Sequence, residues 1–303
     1  MTQNKNTKNI VVIGGGKGIA QVLLGLKDED YHLSAIVSMA DDGGSSGILR
    51  KELDMLPPGD VRRALIALAQ NELLAQIFDY RFSKGKGLKG HNLGNLIIAA
   101  LAQMTDFGKA IESAKKLLNV KGNVIPITLQ KTALFGKLEN GQTIKGEHNI
   151  DVPAHDGKLK ITNIWLEPRA DINPRAKIAI GQADMIILGP GDLFTSIIPN
   201  LLVDGVKEAI NKSSAIKVFF CNLKRKFGET TNFTATDFLA EIELYLGKNV
   251  LNFFIVDKNS EVIVKKENFK KLNLIYANLS NNGQTHESKK ISRVIRSIWH
   301  SKY

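Results

Sequence analysis

Two carboxylates, three glycines and two hydroxyls fall within eight positions, Ala40-Asp41-Asp42-Gly43-Gly44-Ser45-Ser46-Gly47, directly after the apolar run 33–39. A packed core has no use for that composition. Glycine lets backbone N–H groups approach a ligand closely and serine adds donors, a combination suited to phosphate oxygens. Asp41 and Asp42 can then accept from sugar hydroxyls or hold a divalent cation. A tight exposed turn into a helix is the alternative for the same residues.

Two further loops have this character. Gly14-Gly15-Gly16-Lys17-Gly18 follows the β-branched run 10–13, and Gly189-Pro190-Gly191-Asp192-Leu193-Phe194-Thr195-Ser196 follows the apolar run 183–188. In an open parallel sheet, loops at the carboxyl ends of strands gather in one crevice, so all three are expected to face one ligand. The first loop is not a dinucleotide fingerprint, since Ile19 stands where the third glycine belongs, and no Gly-Lys-Ser/Thr makes it a Walker A loop. A nicotinamide oxidoreductase is therefore disfavoured.

Pro57-Pro58-Gly59-Asp60 restarts the chain as a helix over 61–70, with Asp60 expected as its cap. Arg62 and Arg63 lie in the first turn, where cations are unfavourable by a few tenths of a kcal/mol. They imply an anion nearby, or surface pairing with Asp60 or Glu52. The alternating Lys84-Gly85-Lys86-Gly87-Leu88-Lys89-Gly90 reads as a mobile basic lid over a phosphate. His91, with Asn92 and Asn95 behind it, suits a ligand contact or a helix-entry hydrogen bond better than a general base. A strand over 216–221 ends at Asn222, placed to orient a ligand. Cys221, the single cysteine, excludes an internal disulfide and a cysteine-rich metal site, and is expected to be buried.

The elements that must hold these residues alternate strand and helix, which predicts an α/β fold with a Rossmann-like, doubly wound, mostly parallel sheet. Strands are expected over 10–13, 33–39, 183–188 and 216–221, with 252–256 as the last core strand. Helices are expected over 19–26, 72–79, 96–104, 174–180, 197–210 and 236–246, and a final helix docks Ile291, Val294, Ile295 and Ile298. Residues at about 123–170 read as an inserted β-rich region around the turn Glu139-Asn140-Gly141, an edge or dimer surface within one domain spanning 1–303.

Length 303 with 43% hydrophobic residues supports a large core. The formal charge of +11 makes acidic partners reasonable, but Lys and Arg are dispersed beyond short runs such as Lys224-Arg225-Lys226, so nucleic-acid binding is not expected. No apolar run approaches the roughly 20 residues that span a bilayer, and the amino terminus is polar, so a cytoplasmic protein is expected.

These motifs in order resemble the bacterial gluconeogenesis-factor (YvcK-like) family, which is related to 2-phospho-L-lactate transferase, CofD. The resemblance rests on Ile13-Gly14-Gly15-Gly16, the 40–47 octet, Pro57-Pro58-Gly59-Asp60, Tyr80-Arg81-Phe82 and Gly90-His91-Asn92-Leu93-Gly94-Asn95. Gly189-Pro190-Gly191, Thr195-Ser196 with Pro199-Asn200, and Gly228-Glu229-Thr230 complete it. It implies a cytoplasmic, often dimeric protein that binds a UDP-sugar such as UDP-N-acetylglucosamine and supports cell shape and wall synthesis on gluconeogenic carbon through a partner protein. The sequence departs from the family pattern at Lys17 (usually Thr), Asp192 (usually Ser), Lys224-Arg225-Lys226-Phe227 (usually Met-Thr-Gln-Pro) and Thr285-His286-Glu287 (usually Arg-His-Asp).

No nucleophile or acid/base pair emerges from the sequence, so a non-catalytic nucleotide-sugar binder is the leading expectation. In it, glycine loops 14–18 and 189–191 hold the diphosphate and Asp41 or Asp42 accepts from hydroxyls. The alternative is a CofD-like transferase acting on a nucleotide diphosphate donor, with Asp41 and Asp42 holding Mg2+.

Overall fold

The computed structural model describes residues 7–265, 269 and 272–300; the polar lead 1–6 lies outside them. Along the chain run β1 (Lys8–Gly14), α1 (Gly16–Leu26), β2 (Tyr31–Val37), α2 (Gly44–Glu52), α3 (Gly59–Leu68), α4 (Glu72–Asp79), α5 (Leu93–Met104), α6 (Phe107–Leu117) and β3 (Asn123–Pro126). Next come β4 (Ala133–Leu138), β5 (Thr143–Lys145), α7 (Glu147–Asp151), β6 (Ile161–Glu167), α8 (Pro174–Gly181) and β7 (Met185–Leu188). A π-helical turn (Leu193–Ile197) leads into α9 (Ile198–Leu201), followed by α10 (Val206–Lys212), β8 (Ile216–Phe220), α11 (Ala235–Leu246), β9 (Phe253–Asp257), β10 (Asn273–Ala277) and α12 (Ser288–His300).

Seven strands form one sheet in the order β10-β9-β8-β7-β1-β2-β3, and every neighbouring pair is parallel. Helices cover such a sheet on both faces, which is why Met185–Leu188 and Phe253–Asp257 are buried along their whole length. The strand order reverses between β1 and β7. Chain leaves these two carboxyl ends in opposite directions, and a crevice must open there.

The structure moves several expected boundaries. Asn123–Pro126 pairs with β2 as an edge of the main sheet, so the inserted part is the antiparallel β5-β4-β6 sheet with α7. Phe253–Asp257 is the last core strand, as expected, and β10 adds beyond it as a partly exposed edge. The helix expected over 197–210 is broken: Pro199 offers no N–H, Asn200 Nδ2 donates to the Ser196 carbonyl (2.8 Å), and Gly205 turns left-handed (φ 90°) before α10. The final helix docks as expected, with Ile291, Val294, Ile295 and Ile298 buried, and α12 meets α1 so closely that a Cβ on Gly25 would strike the Ser288 carbonyl. Cys221 is buried, as expected. No helix among the described residues is long and apolar enough to cross a membrane.

Gly18 is where the first and third glycine loops touch, since a Cβ there would run into the Pro190 carbonyl. Backbone cannot yield as a side chain does. Gly18→Ala is expected to cost about 1–3 kcal/mol, read as a lower urea midpoint at unchanged m-value. Gly181→Ala, whose Cβ meets open space at the end of α8, should leave the midpoint unchanged or higher.

Candidate functional site

The loops after β2, β1, β7 and β8, four adjacent strand ends, line one cavity of about 920 Å³. At ~4.8 Å per strand those ends span on the order of 14 Å. The three glycine-rich stretches therefore meet, as their placement after strands implied. Gly14 and Gly189 do not line the cavity; they close the strand ends beneath it, each within hydrogen-bonding reach of the neighbouring strand.

The floor is set by Asp60. It does not cap its own helix, whose N-cap is Pro58. Its carboxylate crosses to α1, where Oδ1 accepts from Gly16 N–H (2.9 Å) and from Arg63 Nη1 (2.8 Å). Burial raises the Asp60 pKa, against the pull of Arg63. Because this acid meets the first helical N–H, α1 starts at Gly16 rather than at Ile19, and the loop contracts. Lys17 and Gly18 line the cavity from the first turn, but the Gly16 N–H is already taken.

The octet splits its two carboxylates. Asp41 lines the cavity, and its Oδ1 accepts from Gly43 N–H (3.1 Å). Asp42 turns away to accept from His148 N–H (2.7 Å) in α7, outside the lining, so the expected Asp41 and Asp42 pair does not converge on a shared ligand. Gly43, Gly44, Ser45 and Ser46 line the wall, and α2 begins there with no capping side chain and no acid in its first turn. Donors are left available at that helix start.

Behind this wall runs a buried polar chain. Ser45 Oγ lies 3.0 Å from His91 Nδ1 and accepts from Asn95 Nδ2 (3.1 Å), while Asn95 Oδ1 accepts from Arg62 Nε (3.0 Å). Arg62 also pairs with Asp79 (2.5 Å). The two arginines thus find protein acids: buried Arg62 reaches out to the exposed Asp79, and the half-buried Arg63 pairs with the buried Asp60; Arg62, Asn92 and Asn95 still border the cavity. His91 is buried and outside the lining, a partner of Ser45 and not a ligand contact. Nor is the basic loop a lid in this structure. Gly90 N–H and Phe82 N–H hold it to Phe82 and His91 carbonyls (2.8 and 2.9 Å), and Lys84, Lys86 and Lys89 are exposed and outside the cavity, which Arg81 reaches instead.

The third wall comes from the β7 and β8 loops. Pro190, Gly191, Asp192, Thr195 and Ser196 line it, with Thr195 Oγ1 donating to Glu229 Oε1 (3.1 Å). Lys226 Nζ pairs with Asp192 Oδ2 (2.6 Å), Glu229 Oε1 (3.1 Å) and Asp151 Oδ1. Asn222 Oδ1 and His286 Nε2 are buried atoms without a partner, and both residues line the cavity. Burial pulls His286 down to about 4, so the ring is neutral and offers a lone pair. A buried polar atom left unpaired costs about 1–3 kcal/mol, which a bound ligand would recover.

Sequence reasoning missed Glu147, Asp151, Arg81, Lys226 and His286 as lining residues. Glu147 and Asp151 belong to the inserted segment, whose alternating pattern carried no sign that α7 folds back over the crevice. Burial, then Asp41, pushes the Glu147 carboxyl up to about 9, so it holds its proton at neutral pH beside Asp41. Among the described residues, the carboxylates grouped closely enough to hold a metal are Asp151, Asp192 and Glu229, not the octet's pair.

Residues 10–295 match the family described as 2-phospho-L-lactate transferase CofD. A gluconeogenesis factor of Halalkalibacterium halodurans is 46% identical over 253 residues, covering 82% of this chain and 77% of that protein. The gluconeogenesis factor of Bacillus subtilis is 42% identical over 257 residues, covering 84% and 79%. A crystal structure of a UPF0052 family member from Bacillus halodurans superposes with a TM-score of 0.90 at 38% identity, over 96% of this chain and 99% of the other.

Glu147 makes stability depend on pH. Its carboxyl, raised from 4.5 to about 9, keeps a proton in the folded chain that the unfolded chain releases. The folded state binds more protons between those values, so this group's contribution to stability falls as pH rises through that window. Glu147→Gln, the neutral isostere, should melt increasingly higher than wild type as pH is raised from about 5 to about 8.5. An equal difference at both ends would show that Glu147 titrates as an ordinary carboxylate.

Proposed function

The chain belongs to the CofD family, among its gluconeogenesis factors, and on that premise we propose that it is a nucleotide-sugar-binding regulator taking a UDP-sugar such as UDP-N-acetylglucosamine. The cavity at the strand-order reversal carries the reading. It is wide enough to lay a nucleoside diphosphate across four strand ends. The uncapped start of α2 is the better diphosphate cradle, with Lys17 and Arg81 alongside, because Asp60 already occupies the start of α1. Asn222 and His286 offer acceptors for base or sugar donors, and Asp41 accepts from a hydroxyl. Occupancy of the site then reports sugar-nucleotide supply to a cell-wall synthesis partner during growth on gluconeogenic carbon.

One observation favours a second reading, transfer of a phosphate-containing group as in the enzyme for which the family is described. Glu147 is a protonated acid beside Asp41 in the cavity, an acid/base pair of a kind the sequence did not suggest. Asp41 would be the residue to meet Mg2+ in that case, without Asp42.

Isothermal titration with UDP-N-acetylglucosamine separates the readings. Saturable binding without turnover is expected, weakened about tenfold by Asn222→Ala. Absence of binding by every UDP-sugar tried ends the first reading. Divalent-dependent release of nucleotide from a diphosphate donor, lost in Glu147→Gln, would establish the second.

A further inference from the structure

Three carboxylates converge on the cavity wall from three separate segments. Asp151 ends α7 of the inserted sheet, Asp192 precedes the π-helical turn after β7, and Glu229 lies in the loop after β8. Ligand oxygens of the three lie within 4.8 Å of one another, a spacing at which they can surround one small hard cation. What stands between them is the ammonium of Lys226, 2.6 Å from Asp192 Oδ2 and 3.1 Å from Glu229 Oε1, and donating also to Asp151 Oδ1. An ammonium has three N–H donors, and here each finds a carboxylate.

The acids are not held in place by Lys226 alone. Glu229, with a fully buried side chain, accepts from Phe194 N–H (3.2 Å) and from the Thr195 hydroxyl (3.1 Å). Asp192 is anchored by its own carbonyl, which accepts from Ser196 N–H (2.9 Å) and Ile197 N–H (3.1 Å). Two of the three oxygen sources are thus positioned by backbone, as ligands of a preformed cation site are. Three carboxylates are an all-oxygen set, the kind that selects Mg2+, Mn2+ or Ca2+ over softer metals. Without a cation among them, like charges would be packed at contact distance beside a buried acid.

We propose that Lys226 is a tethered stand-in for a divalent cation: its ammonium joins the inserted segment to the β7 and β8 loops at the point where their carboxylates would otherwise bind a metal. This corner of the cavity is closed to metal ions in the wild-type chain. Removing the ammonium, with the carboxylates kept, opens a divalent site.

The test uses Mn2+ alone and does not depend on whether a nucleotide sugar binds. Lys226→Gln and wild type are titrated with Mn2+, and free ion is followed by electron paramagnetic resonance. The variant should take up one Mn2+ per chain at least about tenfold more tightly than any uptake by wild type. That gain should vanish in Lys226→Gln/Asp192→Asn, and Lys226→Arg, which keeps a cation, should stay metal-free. Mn2+ should raise the melting temperature of Lys226→Gln and not that of wild type. Where Lys226→Gln does not fold unaided, refolding in Mn2+ should recover it. Equal uptake by wild type and variant, uptake indifferent to Asp192→Asn, or failure of Mn2+ to recover a misfolded Lys226→Gln overturns the proposal.

Discussion

A carboxylate buried in the floor of a cavity must find donors before the chain around it can close, and Asp60 finds them in the Gly16 N–H and Arg63. Leaving a buried charge of this kind unpaired is worth roughly 3–5 kcal/mol, so the contact constrains everything near it. It fixes where α1 begins, binds α3 to the first strand's turn, and satisfies the positive pole of α1 with a protein anion. Its neighbour works in the opposite direction. Arg62 reaches Asp79 and, through Asn95 and Ser45, His91, so consecutive arginines anchor the floor and the α2 wall of one crevice.

Much of this arrangement was legible because parallel strands buried on both faces read as unbroken apolar runs, and two of them, 10–13 and 183–188, end in glycine where the backbone has to turn. The positions of 10–13, 183–188 and 216–221 follow from those runs. Edges were harder. β10 is only partly buried and β3 is four residues ending in Pro126, so neither carries the signature of a central strand. Roles assigned from local spacing fared worst. Asp60 has the position of a cap, yet its partner lies 44 residues away, and His91 precedes a helix but answers to Ser45, 46 residues back.

The lining residues that sequence reasoning missed have two causes. Glu147 and Asp151 meet the crevice because the inserted segment folds over it, whereas Lys226 lies in the basic run after β8, which by composition alone reads as surface charge. Asp42 explains that closure: its carboxylate holds the start of α7 through the His148 N–H. One local clue did exist. Asp192 and Lys226 both differ from the pattern the sequence resembles, and in the fold they are ion-paired with each other.

The docking of α12 on α1 has a consequence for how the chain is made. The first helix cannot complete its burial until residues 288–300 exist, since Gly25 is packed under Ser288. An amino-terminal strand and helix that emerge early must wait, with apolar surface uncovered, for a segment more than two hundred and fifty positions later. Closure over such a separation comes late and slowly, and the waiting intermediate is the state most exposed to aggregation. Vectorial synthesis therefore yields a nearly complete sheet before it yields a stable protein, and the last helix acts as the step that commits the whole fold.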